Sequence, residues 1–494
     1  MPRVNLVGSG YAGKSIIASG QETVNLYGEV NSADPESPAP VTYYPTPGTD
    51  LYATPIPANL NKVRAEYRTS RGTAYCVIGS TVYIVTAIGT LIVVGTIANL
   101  PSQIYFSDNG LAAVLVDGTN GYAIDLTTNA IGQITDPNFY SADYVTLLDT
   151  FFIFNRSGTN QFFITGSNVT FTMLTTTGAF DPLDIAAKSG FSDPIVGIVT
   201  VHRELVLIGL LTTEIWIGTG AADFFFQEVQ GTYVNHGCAA QYSIATQDVL
   251  AFFLQQDLQG NCLVLQLQGY DVTEISTPRI VSEFRKYATI SDAIGFCFQL
   301  EDHSYYAIVF PTANKGWLYD LTTSAKLGFP FWSEWNCTDI NGNLIRPRAN
   351  CVMFFNNLNL VGDYENGNIL ELDIDVNTDV TTNDGLLPIT RIKTFPHMLE
   401  NNDRVTYDQF QCDMEVGTSQ PDDDPQISLS WSDDKGRTYG NPVMQTLGQI
   451  GDYKAVPSWN RLGMARDRIF KLSWSSNVVT ALNGAFVDHR PSRS

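Results

Sequence analysis

Residues 195–229 read IVGIVTVHRELVLIGLLTTEIWIGTGAADFFFQEV, and the spacing of their turns decides the fold. Four short apolar runs stand in line: Ile195 to Val201, Leu205 to Leu210, Glu214 to Gly218 and Phe224 to Val229. His202-Arg203-Glu204 and Gly218-Thr219-Gly220 punctuate them. Each run is rich in β-branched or aromatic residues and bounded by Gly, Thr or charge, the signature of a strand. The runs are too short and too interrupted for helices.

Similar units begin near Val63, Ile104, Val145, Ile195, Ile244, Ile290 and Ala349. A repeat of roughly 40 to 50 residues built from short strands is the pattern of a β-propeller. The spacing predicts seven blades over residues 58–384, preceded by an extended arm and linker (1–57) and followed by a β-sandwich-like domain (385–494). The whole chain is therefore expected to be all-β. The alternative arrangement is a set of unrelated meanders in two sandwiches.

Composition agrees with sheets packed on both faces. Charged residues are 16% of the chain, below the usual quarter, and the formal net charge is −22. Phosphate binding needs clustered Lys and Arg, and no basic run occurs, which argues against a nucleic-acid grip. Seven cysteines lie scattered without a CxxC pair, and five histidines show no metal-ligand spacing. Free thiols, and no metal or other cofactor, are expected.

The N-terminal residues show no long apolar run, so neither a signal peptide nor a membrane-inserting segment is expected. Gly8-Ser9-Gly10-Tyr11-Ala12-Gly13-Lys14-Ser15 matches the P-loop pattern literally. A phosphate cradle also needs a following helix, and Gly20 with an extended Gln21 to Tyr27 denies it one. The segment is expected to be an arm or a turn packed on a neighbour. Ser32 to Pro57 is too proline-rich for a helix or central strand and reads as an extended link to the first blade.

Two local clusters tempt a catalytic or sugar-binding assignment. His236 beside Cys238 lies in an inter-blade turn, where such a pair is structural. Trp317, Trp332 and Trp335 form an aromatic group of the kind that packs a blade or binds sugar at a rim. After Asp375 the sequence turns polar, which places the domain boundary near Asp384, and strands resume from Val405. Ile427 to Ser432 and Phe470 to Ser475 alternate apolar and polar residues, as half-buried sandwich strands do.

Ser432, Asp434, Gly436, Thr438 and Tyr439 form a sharp local motif within SDDKGRTY. It resembles the Asp box of sialidases and related propellers, SxDxGxTW, with Tyr in place of Trp. In the expected hairpin turn Asp434 accepts backbone amides, Gly436 supplies a positive φ and Thr438 starts the return strand. A sialidase-like enzyme also needs an arginine cluster and a Tyr nucleophile with a Glu partner, which the sequence does not assemble.

Several segments, in order and at similar spacing, resemble the tail hub protein of short-tailed bacteriophages, also called the tail accessory factor or packaged DNA stabilisation protein. They run from Asn25 and Tyr27 in VNLYGE through Glu214 and Trp216 in TEIW and Gly237-Cys238-Ala239. Thr277 and Pro278 within Ile275 to Tyr287, and the final Ile427 to Asp488, complete the series. The resemblance implies a non-enzymatic virion protein, assembled in the host bacterial cytoplasm. It implies a ring of copies, typically a hexamer, below the portal and its adaptor ring protein. That ring closes the DNA channel with a tail needle or plug, carries tailspikes or tail fibres, and lets duplex DNA pass without specific binding. In that setting the arm Gly8 to Tyr27, with Tyr11, and the aromatics Trp431, Tyr439 and Trp474 are candidate contacts, although Trp431 and Trp474 also suit a sandwich core. A glycan-binding or sialidase-like propeller is the alternative function, and a nucleotide-binding P-loop a further one.

Overall fold

The computed structural model describes residues 4–491 except 9–12, 16, 18, 32–40, 222, 258, 382–384, 400–402 and 418–423. The expected boundary near Asp384 and the candidate contact Tyr11 lie outside the described residues.

The stretch read first folds as an antiparallel meander of Ile195–Val201, Glu204–Gly209, Thr213–Gly218 and Phe226–Val234. His202 and Arg203 both take positive φ, 52° and 66°, so this two-residue hairpin turns in the sense that matches strand twist. The fourth strand starts two residues later than the sequence suggests and runs on to Val234. A bulge between Glu214 and Trp216 re-registers it.

Further four-stranded sheets of the same kind begin at Val63–Arg68, Tyr105–Asp108, Val145–Leu148 and Ala245–Gln247, and Ile294–Leu300 opens a like set of four strands within a longer sheet. Leading strands of neighbouring sheets pack together, Tyr105–Asp108 on Val145–Leu148, Val145–Leu148 on Ile195–Val201 and Ala245–Gln247 on Ile294–Leu300, and Ala349–Phe355 packs against both Ile294–Leu300 and Val63–Arg68. Second strands such as Ala74–Ile78 and Ala112–Val116 are buried at every position, because both faces meet another sheet. Each fully buried aliphatic or aromatic side chain there contributes about 1.5–3 kcal/mol. Arg64 is 1% exposed and forms no salt bridge among the described residues. It donates instead to the carbonyl oxygens of Gly79 (2.9 Å), Ala98 (3.1 Å) and Ser102 (2.8 Å), which ties the first sheet to the link into the second.

Ala349–Phe355, Leu358–Asp363 and Ile369–Asp373 are completed by Gly48–Ala53, more than 300 residues earlier in the chain. That strand falls inside the stretch read as linker. Prolines bound it on both sides without entering it, and its place on the outer edge requires a ladder on one side only.

Two further sheets face each other around the second core. One runs Leu26–Val30, Val41–Pro45, Leu482–Pro491, Val405–Met414, Ser458–Ala465, with Val4–Asn5 added on Leu482–Pro491. The other includes Arg391–Thr394, Asp467–Trp474, Gln426–Ser432 and Val443–Thr446. Phe410, Leu429, Phe470, Leu472 and Trp474 fill the space between them. Leu6 and Val7 thus belong to this core and not to a free arm, at 5% and 3% exposed.

Much of the acidic excess builds turns. Asp117 accepts the amides of Thr119 (2.9 Å) and Asn120 (2.6 Å), Asp257 those of Gln259 and Asn261, and Asp339 those of Asn341 and Asn343. The charge is unevenly placed. Residues 58–384 hold 32 acidic and 14 basic side chains, and residues 385–494 hold 13 and 12.

Candidate functional site at the junction of the two domains

Residues 19–31 run between propeller and sandwich and join them. Val24 pairs in parallel with Glu334 of the strand Phe331–Glu334, and Thr23–Val24 pairs antiparallel with Arg391–Thr394. One continuous ten-stranded sheet therefore passes from a propeller blade into the sandwich.

Asn25 is the knot of that sheet. It is fully buried, with φ at 55°, a conformation Asn tolerates better than most residues. Its backbone N–H donates to the Glu334 carbonyl (2.8 Å) and its own carbonyl accepts from Thr46 N–H (3.0 Å). The side chain accepts from Asn336 N–H and donates to the Thr390 carbonyl, each at 2.8 Å. Two residues on, Tyr27 stacks on Tyr44 (5.6 Å between centroids) and meets His303 edge-on (5.1 Å). Thr323 Oγ1 donates to the Gly28 carbonyl.

Thr277 and Pro278 serve the same junction. Thr277 Oγ1 accepts from Ile280 N–H (3.4 Å) at the start of the helix Pro278–Phe284, and proline occupies the first helical turn. Arg279 then reaches the Gln21 carbonyl, with Glu22 and Glu334 at 3.6 and 3.8 Å.

Lys393 lies against Thr23, fully buried, with Nζ 2.9 Å from Thr23 Oγ1 and 3.8 Å from the centre of the Tyr43 ring. Burial, aided by Arg279, pushes its pKa down to about 7. Between pH 7 and the ordinary lysine range the unfolded chain holds a proton that the folded chain does not, so stability falls as pH drops through that window. Lys393→Met is expected to flatten that dependence in a pH series of denaturant melts. At pH 7 it should add about 2–3 kcal/mol, the relief of a charge penalty less one lost hydrogen bond.

Glu214, Trp216, Gly237 and Cys238 sit between blades instead. The Glu214 carboxyl, fully buried, accepts from the N–H groups of Ser189 (3.1 Å) and Gly190 (2.9 Å) and from Trp216 Nε1 (3.3 Å). Trp216 meets Phe162 edge-on at 5.0 Å. Gly237 lies against backbone: a Cβ there would stand 2.5 Å from Leu210 C and Leu211 N. Cys238 N–H donates to the Gly209 carbonyl (2.9 Å), and burial pushes its thiol up to about 11. His236 Nδ1 contacts Gln255 Oε1 (2.8 Å), so each of the two has its own structural partner.

In the sandwich, Asp434 Oδ1 accepts from Ser432 Oγ (2.7 Å) and from the N–H groups of Arg437 (3.0 Å) and Thr438 (2.9 Å), and Oδ2 accepts from Thr438 Oγ1 (2.7 Å). These bonds hold the Asp434 carboxyl well below the usual carboxylate range. Gly436 has φ of 85°, and Lys435 also takes a positive φ. Thr438 does not start the return strand, which begins at Val443, because Gly440 N–H first closes back on the Trp431 carbonyl (3.0 Å). Tyr439 lies under Lys471 Nζ (4.1 Å). Trp474 is 3% exposed, with Nε1 bonded to Thr480 Oγ1 (3.1 Å), so it fills the core instead of offering a contact. Trp431 is half-buried beside Arg468, which Asp433 grips through both oxygens (2.6 and 2.8 Å).

The tryptophan group is packing as well. Trp317 Nε1 donates to Tyr287 OH (2.9 Å), Trp332 Nε1 donates to the Ile275 carbonyl (2.7 Å), and Trp335 is buried against Phe296 and Phe298. None of the three offers a face to a sugar.

Two family models match this architecture in the same order. The family described as Bacteriophage P22 Gp10, beta-propeller, matches residues 34–377, and Bacteriophage P22 Gp10, beta-sandwich, matches residues 391–490. The chain belongs to the P22 Gp10 family. As a member it is a structural tail protein of a phage, a β-propeller followed by a β-sandwich, and a virion component that associates with other virion components. No curated protein matches the chain. Similar solved structures include the computationally designed Ika8 protein (9% identity, 66% of this chain and 100% of that one, TM-score 0.40). YCF48 bound to D1 peptide is similar at 10% identity, over 66% and 97% of the two chains, with TM-score 0.37. The Cps50 (Swd1) β-propeller domain of Myceliophteria thermophila matches at 10% identity, over 66% and 100%, with TM-score 0.38.

Proposed function

We propose that this chain forms the tail hub ring below the portal and its adaptor, closes the DNA channel after packaging, and carries the needle and the spikes or fibres. The observation that carries this reading is the match of both P22 Gp10 models, in order, across most of the chain. The role is structural, with the buried polar residues at the junction and between blades holding shape instead of performing chemistry. The acidic propeller suits a wall past which duplex DNA moves without binding, since like charge gives it no counterion-release gain.

Native mass spectrometry of the purified protein, alone and with its adaptor ring protein, tests the assembly. A ring, or a monomer that becomes a ring on the adaptor, is the expected result; a monomer indifferent to the adaptor would end the reading. Duplex DNA at low salt is expected to run unretarded beside the protein in a gel, and a shifted band would refute the non-binding wall.

A further inference from the structure

We propose that the outer edge of the first blade, the strand Leu91–Thr96, is a contact surface for a second copy of this chain. Outer strands are open sheet edges, which proteins normally shorten, charge or cover. The other blades do so. Ile131–Gln133 and Ile185–Ala187 are three residues long, Asp271–Glu274 begins and ends on acid, and Phe331–Glu334 is covered by Thr23–Val24. Phe226–Val234 carries Glu228 and Gly48–Ala53 carries Asp50.

Leu91–Thr96, LIVVGT, is six residues long and uncharged, and only its Gly95 end packs on a neighbour, Ile131. Ile92 and Val93 are 54% and 57% exposed. Ile88, in the turn that precedes them, is 85% exposed, and Leu51 on the adjoining edge strand 48%. The two edges are joined, since Tyr52 OH donates to the Thr86 carbonyl (2.9 Å). The register shifts between Gly95 and Val93, which breaks the ladder at Val94. A partner therefore packs on the side chains more readily than it extends the sheet.

Charge selects the partner. Residues 72–107, which include this strand, contain no charged side chain, in a chain of net charge −22. A basic partner gains nothing from a neutral face and is drawn to the acidic ones. Another copy meets less of its own repulsion on such a face than on the acidic remainder of the propeller. An exposed apolar strand whose own residues carry no charge is thus a surface on which two like-charged copies approach at low cost. In the hub reading, on which the biological setting rests, it is one side of the contact between neighbours in the ring.

The test is sedimentation equilibrium of the wild type, of Ile92→Thr with Val93→Thr, and of Ile92→Glu with Val93→Glu, at low and at 0.5 M salt. All three should melt at the same temperature, because the altered side chains are exposed. Wild-type self-association is expected to strengthen with salt, which screens repulsion without weakening an apolar contact. The threonine pair should associate at least about tenfold more weakly and the glutamate pair more weakly still. Unchanged association in both variants, or wild-type association that salt dissolves, would overturn the assignment. Variants that assemble normally on the adaptor would remove this edge and leave the hub reading standing, whereas a wild type that never assembles would remove both.

Discussion

Replacing Asn25 by alanine lowers the unfolding free energy by about 4 kcal/mol, more than the loss of one ordinary hydrogen bond, because two effects add. The buried N–H of Asn336 loses its acceptor and the Thr390 carbonyl loses its donor, both otherwise served by one side chain at 2.8 Å. Each such orphan costs about 1–3 kcal/mol, and holding alanine at φ near 55° adds about 1. Asn25→Gly separates the two effects. Glycine takes that φ freely, so its loss should be smaller than alanine's by about 1 kcal/mol. Denaturant melts give the sizes, and limited proteolysis gives the place. Cleavage should appear first between residues 385 and 404, where the sandwich loosens from the propeller. Equal losses for Ala and Gly would show that backbone strain plays no part.

Glu214→Ala should cost about 2–3 kcal/mol, the largest single effect expected within the propeller. One buried carboxyl serves two backbone amides, Ser189 and Gly190, and the Trp216 indole. Alanine leaves the buried Trp216 indole N–H without an acceptor and takes theirs from two partly exposed loop amides. Glu214→Gln keeps the shape but turns an NH2 group toward donors, so it should recover less than half of the loss. The damage is local in origin. Lys188, in the same loop, is tied to Asp193 (2.8 Å) and to Thr212 (2.8 Å), so Lys188 to Asp193 is held from both sides of the blade interface. Hydrogen exchange should speed up first at Ser189 and Gly190, before the sheet strands. A variant as stable as the wild type would show that water satisfies these donors.

The strands of each blade were legible because each carries its own apolar run and its own turn. Gly48–Ala53 was not, since its partner Ile369–Asp373 lies hundreds of residues away and no local pattern distinguishes a closing strand from a linker. Thr23–Val24 and Arg391–Thr394 were missed for the same reason: both are short, polar at alternate positions, and made strands only by partners distant in the chain, among them each other, Glu334 and Asp467–Trp474. Ser458–Ala465 was hidden by Arg461 and Gly463, whose positive φ values interrupt the alternation. Asn25, Tyr27, Thr277 and Glu214 could be picked out as motif positions, but not the work they do. A buried asparagine at positive φ is chosen by partners from three distant segments, and sequence shows none of those distances. Trp474 was open to two readings, contact or core. Its alternating strand has a core face, and the structure places the ring there.

The most direct test of the tail hub account is to grow the phage that encodes this chain with its gene disabled and to examine the particles by electron microscopy and genome protection. The account predicts heads that fill with DNA and then lose it, with no tail structure below the portal, and rescue by the purified protein added in trans. Full, nuclease-resistant heads with complete tails in the absence of the chain would contradict it.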